Sequence, residues 1–199
     1  YLNENPKLIF DNIKELLIDG VKNRNHPFHT PVFTNMDVNN LGDSRIIVLR
    51  HFDPEKYILN FHTDFRSPKV GNILQNNNSL FVFYDHNLKI QLRIKTISNV
   101  NNQNDIAKLI WDKTNLMSRK CYLTKKAPSS ITDNPEDGIK LDLKGREPTK
   151  ADSEMGYKNF TVIESKIIEI DWLHLDASGH RRLNIKLKNK KPSFDWIIP

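Results

Sequence analysis

A run of ten residues, Phe-His-Thr-Asp-Phe-Arg-Ser-Pro-Lys-Val at positions 61–70, carries the side chains best suited to hold a phosphate group. Ser67 and Pro68 predict a helix start, because serine favours the N-cap and proline the first helical position. The unpaired amide groups at such a start favour an anion. The charges and the hydroxyl around it come from Arg66, Lys69 and Thr63. The run predicts a phosphate cradle, although an ordinary capped helix with solvated basic residues has the same pattern.

A second run, Ser-Arg-Ile-Ile-Val-Leu-Arg at positions 44–50, is an apolar strand pattern with two arginines five residues apart. Because side chains alternate between the faces of a strand, Arg45 and Arg50 are expected on opposite faces. An arginine on a core strand is costly unless an anion or a carboxylate pairs with it. Two readings stay open: one arginine binds an anion, or both lie at strand ends and reach solvent.

Two later segments carry weaker signals. Positions 89–95 alternate so that Gln91 shares a face with two basic residues, which is also typical of a half-solvated strand. Its amide can both donate to and accept from the polar edge of a ring. Trp172 and Arg182 flank a glycine turn, and a tryptophan in such a place is commonly a core or interface aromatic. No carboxylate or cysteine joins the histidines at positions 26 and 29 at useful spacing, so no metal site is predicted.

The rest of the pattern predicts the elements that position these side chains. Strands are expected at 31–36, 44–52, 57–63, 79–85, 88–100, 160–172 and 180–187. Helices are expected at 7–22, 68–75 and 104–117, the last with an apolar stripe of Ile106, Leu109, Ile110 and Met117. Residues 125–157 form a long polar loop. We therefore expect one domain over residues 1–199, mainly β with α (α+β), built as a closed antiparallel barrel with flanking helices.

The composition narrows the possible settings. The chain has 199 residues, 38% of them hydrophobic, which suits one domain with a real core. Cys121 is the only cysteine and residues 1–7 lack the apolar stretch of a signal peptide, so a cytoplasmic location is expected. No apolar run has membrane-spanning length. The net charge of +6 fits an anionic partner: nucleic acid, a phosphorylated cofactor, or merely a solubility effect.

Taken in order, these segments resemble the pyridoxamine 5'-phosphate oxidase family, and most closely its uncharacterised FMN-binding branch. The resemblance implies an antiparallel split β-barrel and a homodimer with FMN at the subunit interface. It implies cofactor contacts from Arg45, Ile46, Ile47, Val48, Leu49, Arg50, His62, Thr63, Arg66, Ser67, Lys69, Gln91, Trp172 and Arg182.

The resemblance also implies separate roles within that set. Arg45 and Lys69 match residues at the cofactor phosphate, and Gln91 matches a glutamine at the flavin ring. Pro68 stands where the family often has an arginine, whose charge Arg66 can supply. The pair Trp172 and Arg182 matches a tryptophan and an arginine contributed by the partner subunit.

On the substrate side the resemblance is weaker. The oxidase has Arg-x-His where this chain has Ser178-Gly179-His180, so the arginine is absent and His180 is the candidate substrate-facing catalytic residue. The family's Tyr, Arg and Ser that grip a substrate phosphate have Tyr122, Arg119 and Ser118 as candidates.

Three functions are thus compared. The first is an FMN-dependent oxidoreductase that takes a hydride from a small amine-type donor. The second is a non-catalytic flavin-binding module, a carrier or sensor, which the missing substrate arginine favours. The third, nucleic-acid binding, rests on charge alone and lacks a row of exposed aromatics for base stacking.

Overall fold

The computed structural model describes residues 4–188 and 191–199. Its helices are α1 (Pro6–Lys22), α2 (Pro68–Gln75), α3 (Asp105–Lys113), α4 (Leu116–Arg119) and α5 (Lys150–Glu154). Its strands are β1 (Val32–Met36), β2 (Gly42–Ile46), β3 (His51–Asp53), β4 (Ile58–Asp64), β5 (Asn78–Asp85), β6 (Ile90–Asn102), β7 (Phe160–His174), β8 (Arg181–Lys188) and β9 (Lys191–Ile197). Short 3-10 turns lie at Pro27–His29, Lys120–Tyr122, Leu141–Leu143 and Tyr157–Asn159. No helix within the described ranges is both long and apolar enough to cross a membrane.

The strands form one antiparallel sheet in the order β2-β1-β5-β6-β7-β4-β3, and β8 and β9 continue from β7. The two ends of that order are joined through residues 47–50, which hydrogen-bond on both sides. Ile47 N donates to Pro31 O at 3.1 Å, and Arg50 N donates to Asn60 O at 2.9 Å. The chain thus passes from β2, beside β1, to β3, beside β4, and closes a barrel. The expected α+β barrel with flanking helices is confirmed.

The core lies inside this barrel and under α1. Phe33, Phe61 and Phe81 pack ring against ring, with centroid separations of 4.8 to 6.2 Å. Helix α1 covers the barrel with Ile9, Phe10, Ile13, Leu16 and Leu17, all buried. Helix α3 makes a smaller separate cluster against β7 through Trp111 and Ala107. The barrel core and the α3–β7 cluster together hold in place the strands that carry the candidate site residues.

One predicted strand, the strand count and the predicted loop need correction. The strand expected at 44–52 is two strands, because the backbone changes partner at residues 47–50. Strand β9 was not predicted, although Phe194 and Trp196 alternate with polar residues there. Residues 125–157 also contain α5, where Thr149 and Asp152 form a capping box.

The helix expected at 104–117 is wrong in extent and in its buried face. It ends at Lys113, because the side chain of Asn115 accepts from Ser118 N at 2.8 Å and starts α4. The expected apolar stripe faces outward in part: Leu109 is 58% and Met117 53% exposed. Trp111, with no exposure, is the residue that anchors the helix.

Candidate functional site

The ammonium group of Lys69 organises the turn between β4 and α2. Its Nζ donates to Thr63 Oγ1 at 3.1 Å and to Ser67 Oγ at 2.8 Å. A lysine ammonium has three N–H groups, so one more can donate to a ligand. Strand β4 supplies Thr63, and the helix start supplies the other two side chains. These three residues converge as the phosphate-cradle hypothesis requires.

Ser67 behaves differently from the prediction. Helix α2 does begin at Pro68 with Ser67 at the N-cap, but the serine side chain makes no capping hydrogen bond. Its hydroxyl turns to Lys69 instead. No side chain caps the first amides of α2, but Pro68 has no N–H and the Val70 N–H donates to Ser67 O at 2.9 Å, so the Lys69 N–H is the first-turn amide best placed for an anion.

Arg45 brings a second cation to the same place. It lies on β2 with its guanidinium 5.7 Å from the ring centroid of Phe33, and it contacts Asn35 Oδ1 and the carboxylate of Asp43. Burial lowers the pKa of Lys69, and the nearby charge of Arg45 lowers it further. Two cations that repel each other in a partly buried turn favour a dianion between them.

The segment after Arg45 alternates as expected. Ile47 and Leu49 are buried in the core, whereas Ile46 and Arg50 are exposed on the outer face. Val48, between them, is half-buried. Only the outward side chains can contact a ligand along this segment, so Ile47 and Leu49 can offer their backbone alone.

The guanidinium of Arg66 donates all its hydrogen bonds to groups within the protein. Its Nε and Nη2 donate to the two carboxylate oxygens of Asp64 at 2.9 and 2.7 Å. Nη1 donates to Thr124 O at 3.1 Å and Lys125 O at 3.4 Å, and Nη2 also donates to Thr124 Oγ1 at 2.9 Å. A guanidinium has five N–H groups. All five have acceptors within the protein, so Arg66 has no N–H group left for a phosphate.

A cavity of about 330 Å³ opens beside Arg50 and His62. Burial lowers the pKa of His62 to about 4, and Arg50 contributes, so the imidazole is neutral at physiological pH. Burial also raises the pKa of Tyr122. The lining has two cations and no carboxylate: Arg50, His62, Ile110, Lys113, Thr114, Asn115, Ser118, Cys121 and Tyr122.

Of the three substrate-grip candidates, Ser118 and Tyr122 line this cavity and Arg119 does not. Arg119 is 3% exposed and donates to Trp111 O at 2.7 Å and Glu154 Oε1 at 2.8 Å. It therefore holds α3 and α5 together.

Gln91 and Arg182 share the outer face of the sheet. The register places Gln91 opposite Leu173, and Leu173 opposite Arg182, in one row across β6, β7 and β8. Arg182 donates to Asp171 at 3.0 and 2.7 Å, and Arg93 contacts the same carboxylate. This row presents an amide and a guanidinium to the outside.

Trp172 does not join that row. It is 2% exposed within the core, and its Nε1 has no hydrogen-bond partner among the described residues. Because neighbouring strand residues point to opposite faces, Trp172 and Arg182 cannot touch one ligand from the same side. His180 lies in the exposed turn before β8, where its Nδ1 accepts from Asp176 N at 3.1 Å. Arg182 therefore remains a candidate for contact with a ligand on the outer face, and Trp172 does not.

The long strand β7 separates the cradle from the Gln91 row. Thr63 of the cradle is paired with Thr161, whereas Gln91 is paired with Leu173. Leu173 comes twelve residues after Thr161, and at about 3.3 Å per residue this is about 40 Å along the strand. The route across β1, β5 and β6 is shorter: Arg45 lies opposite Phe33, Phe33 opposite Phe81 and Phe81 opposite Ile94, and Gln91 comes three residues before Ile94.

The sequence that contains the cradle matches a known protein family. Residues 11–101 match the family model described as pyridoxamine 5'-phosphate oxidase, FMN-binding domain. The predicted resemblance to that family is confirmed. The matched residues include the cradle, Arg50, His62 and Gln91, and they end before Trp172, His180 and Arg182. No curated protein matches the sequence.

Solved structures show the same fold at low identity. A pyridoxamine 5'-phosphate oxidase-related, FMN binding protein from Nostoc punctiforme is 18% identical with a TM-score of 0.76, over 95% of this chain and 96% of that one. PhzG from Burkholderia lata, solved with tetrahydrophenazine-1-carboxylic acid, is 13% identical with a TM-score of 0.72, over 100% and 96%. The split-barrel fold of these FMN-binding proteins is thus the fold of this chain.

Proposed function

We propose that this protein binds FMN and acts as an oxidoreductase. The observation that carries the proposal is the convergence of Lys69, Thr63 and Ser67 beside Arg45, at a helix start without a side-chain cap. A phosphate monoester fits this cradle, because it is a dianion with several acceptor oxygens. The match of residues 11–101 to an FMN-binding family supports FMN as the ester.

The rest of the cofactor is proposed to lie along the outer side of residues 46–50, against Ile46, Val48 and Arg50. This path leads from the cradle to the cavity beside His62. When bound there, FMN supplies the hydride acceptor, while the protein supplies binding, orientation and electrostatics. Contacts from Ile47 and Leu49 would come from their backbone groups.

A homodimer completes the proposed site. Arg182 lies on β8, two strands beyond Gln91 in the sheet, and it matches an arginine that the family contributes from the partner subunit, so we propose that a second copy brings it to the cofactor. A twofold interface does so for both sites at once. His180, in the turn before Arg182, would then come from the partner as the substrate-facing residue.

The cavity beside Arg50 is proposed to receive the hydride donor, a small amine-type molecule that also carries an anionic group. Arg50 and Lys113 line it without an opposing carboxylate, and Ser118 offers a hydroxyl. The structure of PhzG with a carboxylic acid shows that a protein of this fold can hold an anionic ligand. A cytoplasmic location is proposed on the single cysteine, and neither nucleic acid nor a membrane is a proposed partner.

The alternative is a flavin-binding module without turnover. The missing arginine at Ser178 and the commitment of Arg119 to Glu154 favour it. The purified protein is first examined for flavin absorbance, and protein that FMN cannot turn yellow would end both proposals. Turnover with pyridoxamine 5'-phosphate or with reduced nicotinamide then excludes the passive module, whereas a yellow protein inert towards both supports it.

A further inference from the structure

The side chain of Arg66 joins two segments that are far apart in sequence. On one side it forms a two-pronged pair with Asp64, directly before the cradle residue Ser67. On the other side it donates to both carbonyl groups and the hydroxyl of residues 124 and 125. No other arginine described in the chain links the cradle to the helical region in this way.

A second set of hydrogen bonds closes the same junction. Phe65 N donates to Asn159 O at 2.7 Å, and Asn159 Nδ2 donates to Tyr122 O at 2.9 Å. Residues 64–66 and 122–125 are therefore held to each other directly and through Asn159. Tyr122, at the start of the second segment, packs its ring 5.1 Å from Phe160 and lines the cavity beside His62.

The junction is more than a surface ion pair. The Asp64 side chain is 7% exposed and that of Arg66 25%. The bond to Asp64 raises the pKa of Arg66, so the guanidinium stays charged. Asp64 also accepts from the backbone N–H of Arg66 at 2.9 Å, and this bond sets the turn that leads to Ser67. The fork shape of the guanidinium is needed to reach both segments, and no other side chain offers it.

We propose that Arg66 is a positioning residue that holds residues 122–125 against the phosphate cradle and so transmits cofactor binding to the wall of the substrate cavity. This inference rests on the proposed function, because the cradle must bind FMN for anything to be transmitted. Ordering of residues 64–69 by a bound phosphate reduces their freedom, and Arg66 passes this restriction to Thr124 and Lys125, which follow Tyr122 in the cavity wall. Sequence spacing gave no sign of this role, since the acceptors lie 58 and 59 positions away.

Hydrogen exchange of the full-length protein, with and without FMN, tests the proposal. The amides of Leu123 and Lys125 are reporters, because they donate to Lys120 O at 3.1 Å and Gly138 O at 3.2 Å. The amide of Val70, which donates to Ser67 O at 2.9 Å, reports on the cradle. In the wild type we expect FMN to slow exchange at all three.

Arg66→Gln should separate the two regions. We expect FMN still to protect Val70, whereas Leu123 and Lys125 exchange several-fold faster than in the wild type and gain much less protection from FMN, since only the link through Asn159 remains. Arg66→Lys should behave like Arg66→Gln at the two reporters, because an ammonium cannot form the fork. The matched control is Lys126→Gln, which removes a neighbouring positive charge from an exposed pair with Glu136 and should change nothing.

The exchange rates of these amides distinguish a positioning role of Arg66 from a merely structural one. Unchanged exchange at Leu123 and Lys125 in Arg66→Gln, or full rescue by Arg66→Lys, overturns the positioning role. If Arg66→Gln does not fold, Thr124→Val removes one acceptor of Arg66 together with the hydroxyl's own bond to Lys126 O at 3.1 Å, and it should loosen the same two amides, whereas unchanged exchange there overturns the role. If FMN protects nothing in the wild type, the proposed function fails, yet exchange in Arg66→Gln without FMN still tests the junction.

Discussion

Removal of Lys69 and Arg45, singly and together, tests the cradle most directly. Lys69 places two N–H groups on Thr63 and Ser67 and keeps a third for a ligand. Lys69→Ala should therefore lose one charge-assisted hydrogen bond to phosphate and release two hydroxyl groups from their positions. Lys56→Ala, in the exposed turn before β4, is the matched control for loss of one positive charge.

The expected magnitude follows from the kind of bond. A hydrogen bond to a charged group contributes about 1.5 to 3 kcal/mol, so each single variant should raise the Kd for FMN by roughly 10- to 150-fold. The double variant should lose more than either single variant but less than the sum of about 3 to 6 kcal/mol, because the two cations share one phosphate and interact with each other. Lys56→Ala should stay within about twofold.

Titration of flavin fluorescence at several pH values gives the assay. FMN carries its second phosphate charge only above about pH 6, so wild-type affinity should rise through that value. It should fall again on the alkaline side, at a pH below the usual lysine value of 10.5, because the pKa of Lys69 is lowered. In Lys69→Ala the rise in affinity near pH 6 should remain, whereas part of the fall on the alkaline side should disappear. Wild-type affinity in the double variant would refute the cradle.

Three further predictions concern charge, pH and packing. Asp43→Asn removes the carboxylate that competes for Arg45 and should tighten FMN binding about two- to fivefold in the same titration. Burial lowers the pKa of His62 to about 4, against about 6.5 in the unfolded chain, so the unfolded chain binds more protons between these two pH values. The free energy of unfolding, measured with urea, should therefore rise from pH 4 to 6.5 by up to about 3 kcal/mol, and His62→Gln should flatten this rise. Gly20→Ala should lower the free energy of unfolding in urea by about 1–3 kcal/mol, because the added Cβ would lie 2.8 Å from Phe28 Cβ. Gly71→Ala in α2 meets nothing within 4 Å and should raise it by about 0.5–1 kcal/mol, so equal effects of the two variants would contradict this packing.

Elements with local signals were predictable from the sequence. Helix α2 spans the expected residues, because Ser67 and Pro68 define its start within two positions. Strands β5 and β6 also follow their alternation, since one face of each strand packs on the core. The cradle depended on these same signals, and for this reason its three residues do meet around Lys69.

Features that depend on distant partners were not predictable. Nothing local marks the change of partner at residues 47–50, because the neighbours come from β1 and β4. The commitment of Arg66 likewise depends on residues 124 and 125, which fold back from the helical region. The break after Lys113 had a local signal that was missed, namely Asn115 as an N-cap.

The fate of Trp172 shows how far a motif can be carried from one protein to another. Its spacing of ten residues from Arg182 matches the family, but the β7–β8 register pairs Trp172 with Leu183 and Leu173 with Arg182. A shift of one residue in a hairpin moves every side chain to the other face. The same spacing therefore places both residues at one ligand only if the turn between them keeps the same register. In this chain Arg182 lies on the outer face in the row of Gln91, whereas Trp172 belongs to the core.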